Sequence, residues 1–207
     1  MNNIVIGIVG REEEINHTKF MAITKNNMKY LDGKCSYIGL ITYNNDFDIN
    51  TVNLCDGIII QGGNKIYPYH FKILEYALKN NIPLLGICMG HQVIGLYSVG
   101  SKNEDDLIRV DNHYSLRDTH NIMIKKDTLL YNLFGKIMDV NTRHLYKLEE
   151  VKKPFIISAL SNDNVIEGIE YIDNKHFIVG VQFHPEDMKN TEALYNYFLK
   201  EVIKRKK

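Results

Sequence analysis

Gly86-Ile87-Cys88-Met89-Gly90 sets one thiol between two glycines, where a short apolar run gives way to a helical pattern. That is the spacing of a glycine, any residue, a nucleophile, any residue and a glycine, with cysteine as the nucleophile. A sharp strand-to-helix turn forces the middle residue into a strained backbone region, and side chains flanking it would collide, so glycine stands on both sides. A thiol at the start of a helix feels the positive end of the helix dipole, which favours thiolate. The backbone N–H of Met89 would then point at the oxygen of a carbonyl under attack. A second stretch, Gly180-Val181-Gln182-Phe183-His184-Pro185-Glu186, places a histidine and a glutamate two apart with a proline between them. His184 can take the thiol proton and later protonate a leaving amine, and Glu186 can hold the imidazole in the right tautomer. Alone, the first motif also fits an inert buried cysteine and the second a surface turn. Together, in the order Cys, His, Glu, they describe a nucleophile with its base and orienter.

The elements that must position these groups alternate between strand and helix. Ile4 to Val9, Ser36 to Ile41, Asp56 to Ile60 and Pro83 to Leu85 read as strands. The first, third and fourth are unbroken apolar runs of the kind buried on both faces of a parallel sheet. Glu12 to Leu31, acidic at its start and followed by Gly33, is expected to be a helix. Pro68 to Lys79 is a second, with Phe71, Leu74 and Leu78 on one face. A third follows Cys88. Val99 to Asp118 is polar and irregular, a loop over the site. His120 to Ile124, Ile137 to Val140, Phe155 to Leu160, Val165 to Tyr171 and Phe177 to Val181 are further strands, and Glu192 to Lys204 is a closing helix with Leu194, Phe198 and Val202 inward. Such alternation predicts a parallel sheet covered on both faces, with ligands beyond the carboxyl ends of its strands. Gly62-Gly63 and Cys88 both fall at those ends.

The 207 residues carry 25 basic and 25 acidic side chains, so no global field draws in nucleic acid or a membrane surface. Lys204-Arg205-Lys206-Lys207 reads as a solvated helix end. No apolar run has the length of a membrane helix, and MNNIVIGIVG lacks a basic leader region and a cleavage site. Three cysteines, Cys35, Cys55 and Cys88, are too few and too odd for a disulfide framework, which points to a reducing, cytoplasmic setting. No CxxC or HExxH spacing appears, so neither metal nor cofactor is expected. With no repeat, low-complexity tract or linker, residues 1–207 are expected to form a single domain.

GICMGHQ together with VQFHPE resembles the class I glutamine amidotransferase superfamily, and nearly the whole chain shares the likeness. IGIVGR, Asp56 to Gly63, His120 heading a strand, Val140-Asn141-Thr142-Arg143-His144 and Ile166 to Glu170 are similar to motifs of its gamma-glutamyl-gamma-aminobutyrate hydrolase-like branch, the peptidase C26 family. The resemblance implies a flavodoxin-like three-layer α/β sandwich with a mainly parallel sheet and a nucleophile elbow. It implies hydrolysis of a gamma-glutamyl amide through a thioester on Cys88, with His184 and Glu186 completing a catalytic triad. Gly63 would give the second oxyanion N–H beside Met89, Gly62 would shape that loop, and Gln92, Asn141 and His144 would hold the glutamyl head or the leaving group. The partner is a small gamma-glutamyl compound or glutamine, and both a homo-oligomer and a synthase partner are compatible with the sequence. Three departures bear on the leaving group: a short oxyanion loop, Gly62-Gly63-Asn64-Lys65; a single His144 followed by Leu145 where a tandem histidine is usual; and a shorter chain before Asp56. Met89-Gly90-His91-Gln92 also resembles the glutaminase subunit of anthranilate or aminodeoxychorismate synthase. A catalytically silent binding module is the third reading.

Overall fold

In the computed structural model, which describes residues 4–206, the apolar runs become adjacent strands of one sheet. The elements are β1 (Val5–Val9), β2 (Arg11–Ile15), β3 (Thr18–Ala22), β4 (Ser36–Leu40), α1 (Ile49–Asn53), β5 (Gly57–Ile60), α2 (Pro68–Asn80), β6 (Leu84–Ile87) and α3 (Met89–Ser98). They continue with β7 (Ile108–Arg109), β8 (Tyr114–Ile124), α4 (Leu129–Phe134), β9 (Ile137–Arg143), β10 (Tyr146–Lys147), β11 (Ile156–Ser161), β12 (Ile166–Ile172), β13 (Phe177–Val181) and α5 (Glu192–Arg205). Met1 to Asn3 of the N-terminal stretch and Lys207 of the basic tail lie outside the described residues. No helix among the described residues is long and apolar enough to cross a membrane.

Nine strands lie in the order β4-β1-β5-β6-β13-β12-β11-β8-β9. The first five are mutually parallel. Taken in chain order they read 2-1-3-4-5, the flavodoxin-like arrangement. The remaining four extend the sheet antiparallel from β13. Alternation along the central strands sends neighbouring residues to opposite faces. Ile59, Leu85 and Val179 pack with Leu194, Phe198 and Val202 of α5. Ile58, Ile60, Leu84 and Ile178 pack with Phe71 and Leu74 of α2 and Val93 and Ile94 of α3. The sheet is therefore the middle of three layers, and its two apolar faces make two cores.

The helix expected over Glu12 to Leu31 is absent. Residues 11–22 form the antiparallel hairpin β2-β3, followed by a 3-10 turn at Lys25–Met28. Asn16 and His17 both take positive φ, 52° and 61°, the geometry of a tight two-residue hairpin turn. An acidic start suits a helix N-terminus, but here Glu12 and Glu14 lie on one strand, and Lys19 across from them pairs with Glu12 at 2.8 Å. The expected loop after Val99 contains a 3-10 turn, β7 and the first residues of β8, so that β8 begins six residues before His120. The short helix α4 went unread, although Thr128 caps its start by accepting from the Tyr131 N–H and Gly135, at φ 79°, ends it.

Candidate active site

Cys88 sits between β6 and α3 with φ 50° and ψ −99°, a backbone state that costs about 1–3 kcal/mol and survives only where packing enforces it. The packing is visible at the two glycines. A Cβ on Gly86 would stand 2.6 Å from the Gly90 carbonyl oxygen, and one on Gly90 would overlap the Ile60 carbonyl. Their hydrogen atoms let α3 press against β5 and β6. The Cys88 N–H donates to the Val181 carbonyl at 2.8 Å, which ties the thiol's backbone to β13.

His184 stands three residues beyond the end of β13. Its backbone N–H donates to Asn141 Oδ1 and its carbonyl accepts from Asn141 Nδ2, both at 2.8 Å. Its Nδ1 stands 2.8 Å from Glu186 Oε1, and the Glu186 carboxylate is buried. A Cβ on Gly62 would lie 2.6 Å from His184 Cε1, so the ring lies against the glycine's bare face. The imidazole and the Cys88 side chain stand together against the bare face of Gly62. With Nδ1 turned to Glu186, the nitrogen that serves Cys88 is Nε2. Burial opposes charge on this ring, but the Cys88 sulfur and then the Glu186 carboxylate outweigh it, and the imidazole is pushed up to about 10. The arrangement thus favours an imidazolium held between sulfur and carboxylate.

Gln182 Nε2 donates toward Cys88 Sγ at 3.5 Å, and Gln92 Nε2 donates to Gln182 Oε1 at 3.3 Å and to the Tyr146 carbonyl at 3.0 Å. Gly63 and Met89 line the same cavity as Cys88 and, among the described residues, their amides donate to no protein acceptor. The loop bearing Gly63 is braced by the hairpin: Arg11 Nη1 donates to the Gly62 carbonyl at 2.9 Å and to Thr24 Oγ1 at 2.7 Å. Buried Gln61 donates to the Val9 and Ala22 carbonyls, each at 2.9 Å. A cavity of about 470 Å³ opens over Cys88, Met89 and Gly63. Charges of both signs, Lys65, Arg143, Glu104 and Asp105, stand around it.

Cys88, His184 and Glu186 therefore converge, with Gly62, Gly63 and Met89 beside them. Gln92 and His144 line the cavity. Asn141, expected to hold substrate, is buried, and both its amide atoms engage the His184 backbone. The His144 ring turns away toward buried Glu167, at 3.4 Å. Gln182 and Arg11 were missed as site residues, although both lie inside the stretches VQFHPE and IGIVGR that signalled the site. Glu104 and Asp105 fall within Val99 to Asp118, which the sequence shows only as a polar, irregular loop over the site.

A thiol at an elbow, paired with a histidine and carboxylate at the ends of adjacent parallel strands in this fold, defines a glutamine amidotransferase-like hydrolase. Within that class the chain belongs to the Peptidase C26 family, whose sequence model matches residues 69–186, more than half of its length. Protein NtpR of Enterococcus hirae is 29% identical over 182 residues, covering 72% of this chain and 76% of that protein. Anthranilate synthase component 2 of Saccharolobus solfataricus is 32% identical over 130 residues, 60% of this chain and 63% of that one. A solved glutamine amidotransferase from Thermotoga maritima shares the fold, with a TM-score of 0.67 at 19% identity over 100% of this chain and 86% of that one.

Proposed function

We propose that the chain, acting as one domain, hydrolyses a gamma-glutamyl amide through a gamma-glutamyl thioester on Cys88. The observation that carries this reading is the Cys88–His184–Glu186 array at the mouth of a cavity beside two amides with no protein acceptor. The Cys88 sulfur attacks the amide carbonyl, and the N–H groups of Gly63 and Met89 take up the negative charge that develops on its oxygen. His184 gives its proton to the leaving amine as the C–N bond breaks, which leaves the acyl group on sulfur. His184 then takes a proton from water, whose oxygen attacks the thioester carbonyl. The C–S bond breaks, glutamate leaves, and the thiolate–imidazolium pair is restored. A glutamyl head is a zwitterion, and the cavity offers Lys65 for its carboxylate and Glu104 with Asp105 for its ammonium. Three free cysteines suit a reducing, cytoplasmic setting.

The likeness to anthranilate synthase component 2 favours a second reading, a glutaminase that passes ammonia to a synthase partner. A side-by-side assay of the isolated protein on free glutamine and a panel of gamma-glutamyl amides separates the two, with Cys88→Ala as the blank. Turnover of a gamma-glutamyl amide without a partner is the expected result. Silence on every amide, with glutamine hydrolysis appearing only when a synthase chain is added, overturns it in favour of the subunit. Silence throughout, with no alkylation of Cys88, would leave a binding module.

A further inference from the structure

Behind the cavity wall three histidines crowd one buried carboxylate oxygen. Glu167 Oε1 lies 3.6 Å from His113 Nδ1, 3.4 Å from His144 Nε2 and 3.2 Å from His120 Nε2. Glu167 is fully buried and His113 and His144 nearly so. None of these four facing atoms makes a hydrogen bond.

The far sides of two rings explain why. His113 Nε2 stands 2.9 Å from Asp163 Oδ2, and a carboxylate can only accept, so Nε2 carries the hydrogen. His144 Nδ1 stands 3.0 Å from the Tyr146 carbonyl and must likewise donate. In the neutral rings this leaves His113 Nδ1 and His144 Nε2 as lone pairs aimed at a carboxylate oxygen. Three acceptors meet there, and only His120 Nε2, which makes no hydrogen bond, could turn a hydrogen toward them. A cation resolves that conflict.

We propose that His113, His144 and Glu167, with His120 closing the set, form a binding site for a divalent transition metal ion of the zinc type. The ligand atoms of the first three lie within 4.8 Å of one another. Two ligands each about 2.0–2.1 Å from a tetrahedral zinc ion lie about 3.3–3.4 Å apart, and the three nitrogen–oxygen separations straddle that value. Imidazole nitrogen with one carboxylate oxygen suits zinc rather than magnesium or calcium. Asp163 on His113 is the carboxylate–histidine–metal arrangement that orients a ligand ring. The ion would fasten three separate pieces of chain: the entry to β8, the end of β9 and β12. Two of them are already joined where the His113 carbonyl accepts from the His144 N–H and the Thr142 hydroxyl, both at 2.8 Å. Its place is therefore to hold the cavity wall that includes Tyr114 and residues 143–146.

The test uses the full chain, stripped with a chelator and titrated by calorimetry with Zn²⁺ alone, then with Co²⁺ followed by visible absorption. About one equivalent should bind, Co²⁺ should give the intense visible bands of a tetrahedral site, and Glu167→Gln should abolish both. Asp163 is exposed, so Asp163→Asn spares the fold and should weaken binding about ten- to hundredfold. No stoichiometric binding by the wild-type chain overturns the site. Binding that is unchanged in both variants overturns it as well.

Discussion

In the proposed mechanism His184 is the residue on which the chemistry turns, and three neighbours fix it independently. Glu186 sets its tautomer, Asn141 clamps its backbone and Gly62 leaves room for its ring. Replacing it by asparagine should lower turnover by about 10²–10⁴-fold, the range of a general acid–base group, in steady-state assays. Its titration also predicts how stability follows pH. The folded ring is raised to about 10 from an ordinary value of about 6.5. The stability this contributes is fully present below about 6.5 and is lost as pH rises through about 10. Melting temperature should therefore decline across that window in the wild type and less steeply in His184→Asn and Cys88→Ala; parallel slopes would contradict the pairing. At this scale the sequence was most informative. Cys88, His184 and Glu186 follow from spacing because an elbow and a strand end are local structures. The clamp by Asn141 is not local: it reaches His184 from 43 residues away, so its spacing carried no sign of it.

The elbow shows how far element boundaries can be read. Proline, a short apolar run and glycine bracket β6 in the sequence, and α3 starts directly after the thiol. What places the elbow is the close approach of Gly90 to the Ile60 carbonyl, a contact with a backbone atom that no rotamer change can relieve. Gly90→Ala should therefore destabilise by about 1–3 kcal/mol in denaturant unfolding, despite alanine's better helix propensity. It should also lower activity beyond the loss of folded protein, since α3 carries the Met89 N–H. The hairpin β2-β3 was illegible because its signal, two residues at positive φ, rests on Asn16 and His17 without a glycine. Its misreading hid a role at the site, because Arg11 at its start holds the Gly62 carbonyl.

Across the whole molecule, the parallel half of the sheet carries the thiol and the histidine on adjacent strands, β6 and β13. The antiparallel half supplies the Asn141 clamp and, with the 104–107 segment, the far wall of the cavity. Parallel order was legible from the alternation of apolar runs and helices. The antiparallel extension was legible as strands but not as an order, since nothing in the spacing says that β8 pairs with β11 and β9. The histidine–glutamate cluster escaped for the same reason: its four members come from three separated stretches and make no spacing motif.

The central claim is the covalent intermediate. Mixing the protein with a gamma-glutamyl amide, quenching in acid within the first turnover and measuring intact mass tests it directly. The prediction is a mass increase of one glutamyl group, mapped by peptide analysis to Cys88, absent in Cys88→Ala and more persistent in His184→Asn if that variant still acylates. Steady release of glutamate with no adduct at any time point, or with undiminished turnover by Cys88→Ala, would contradict it.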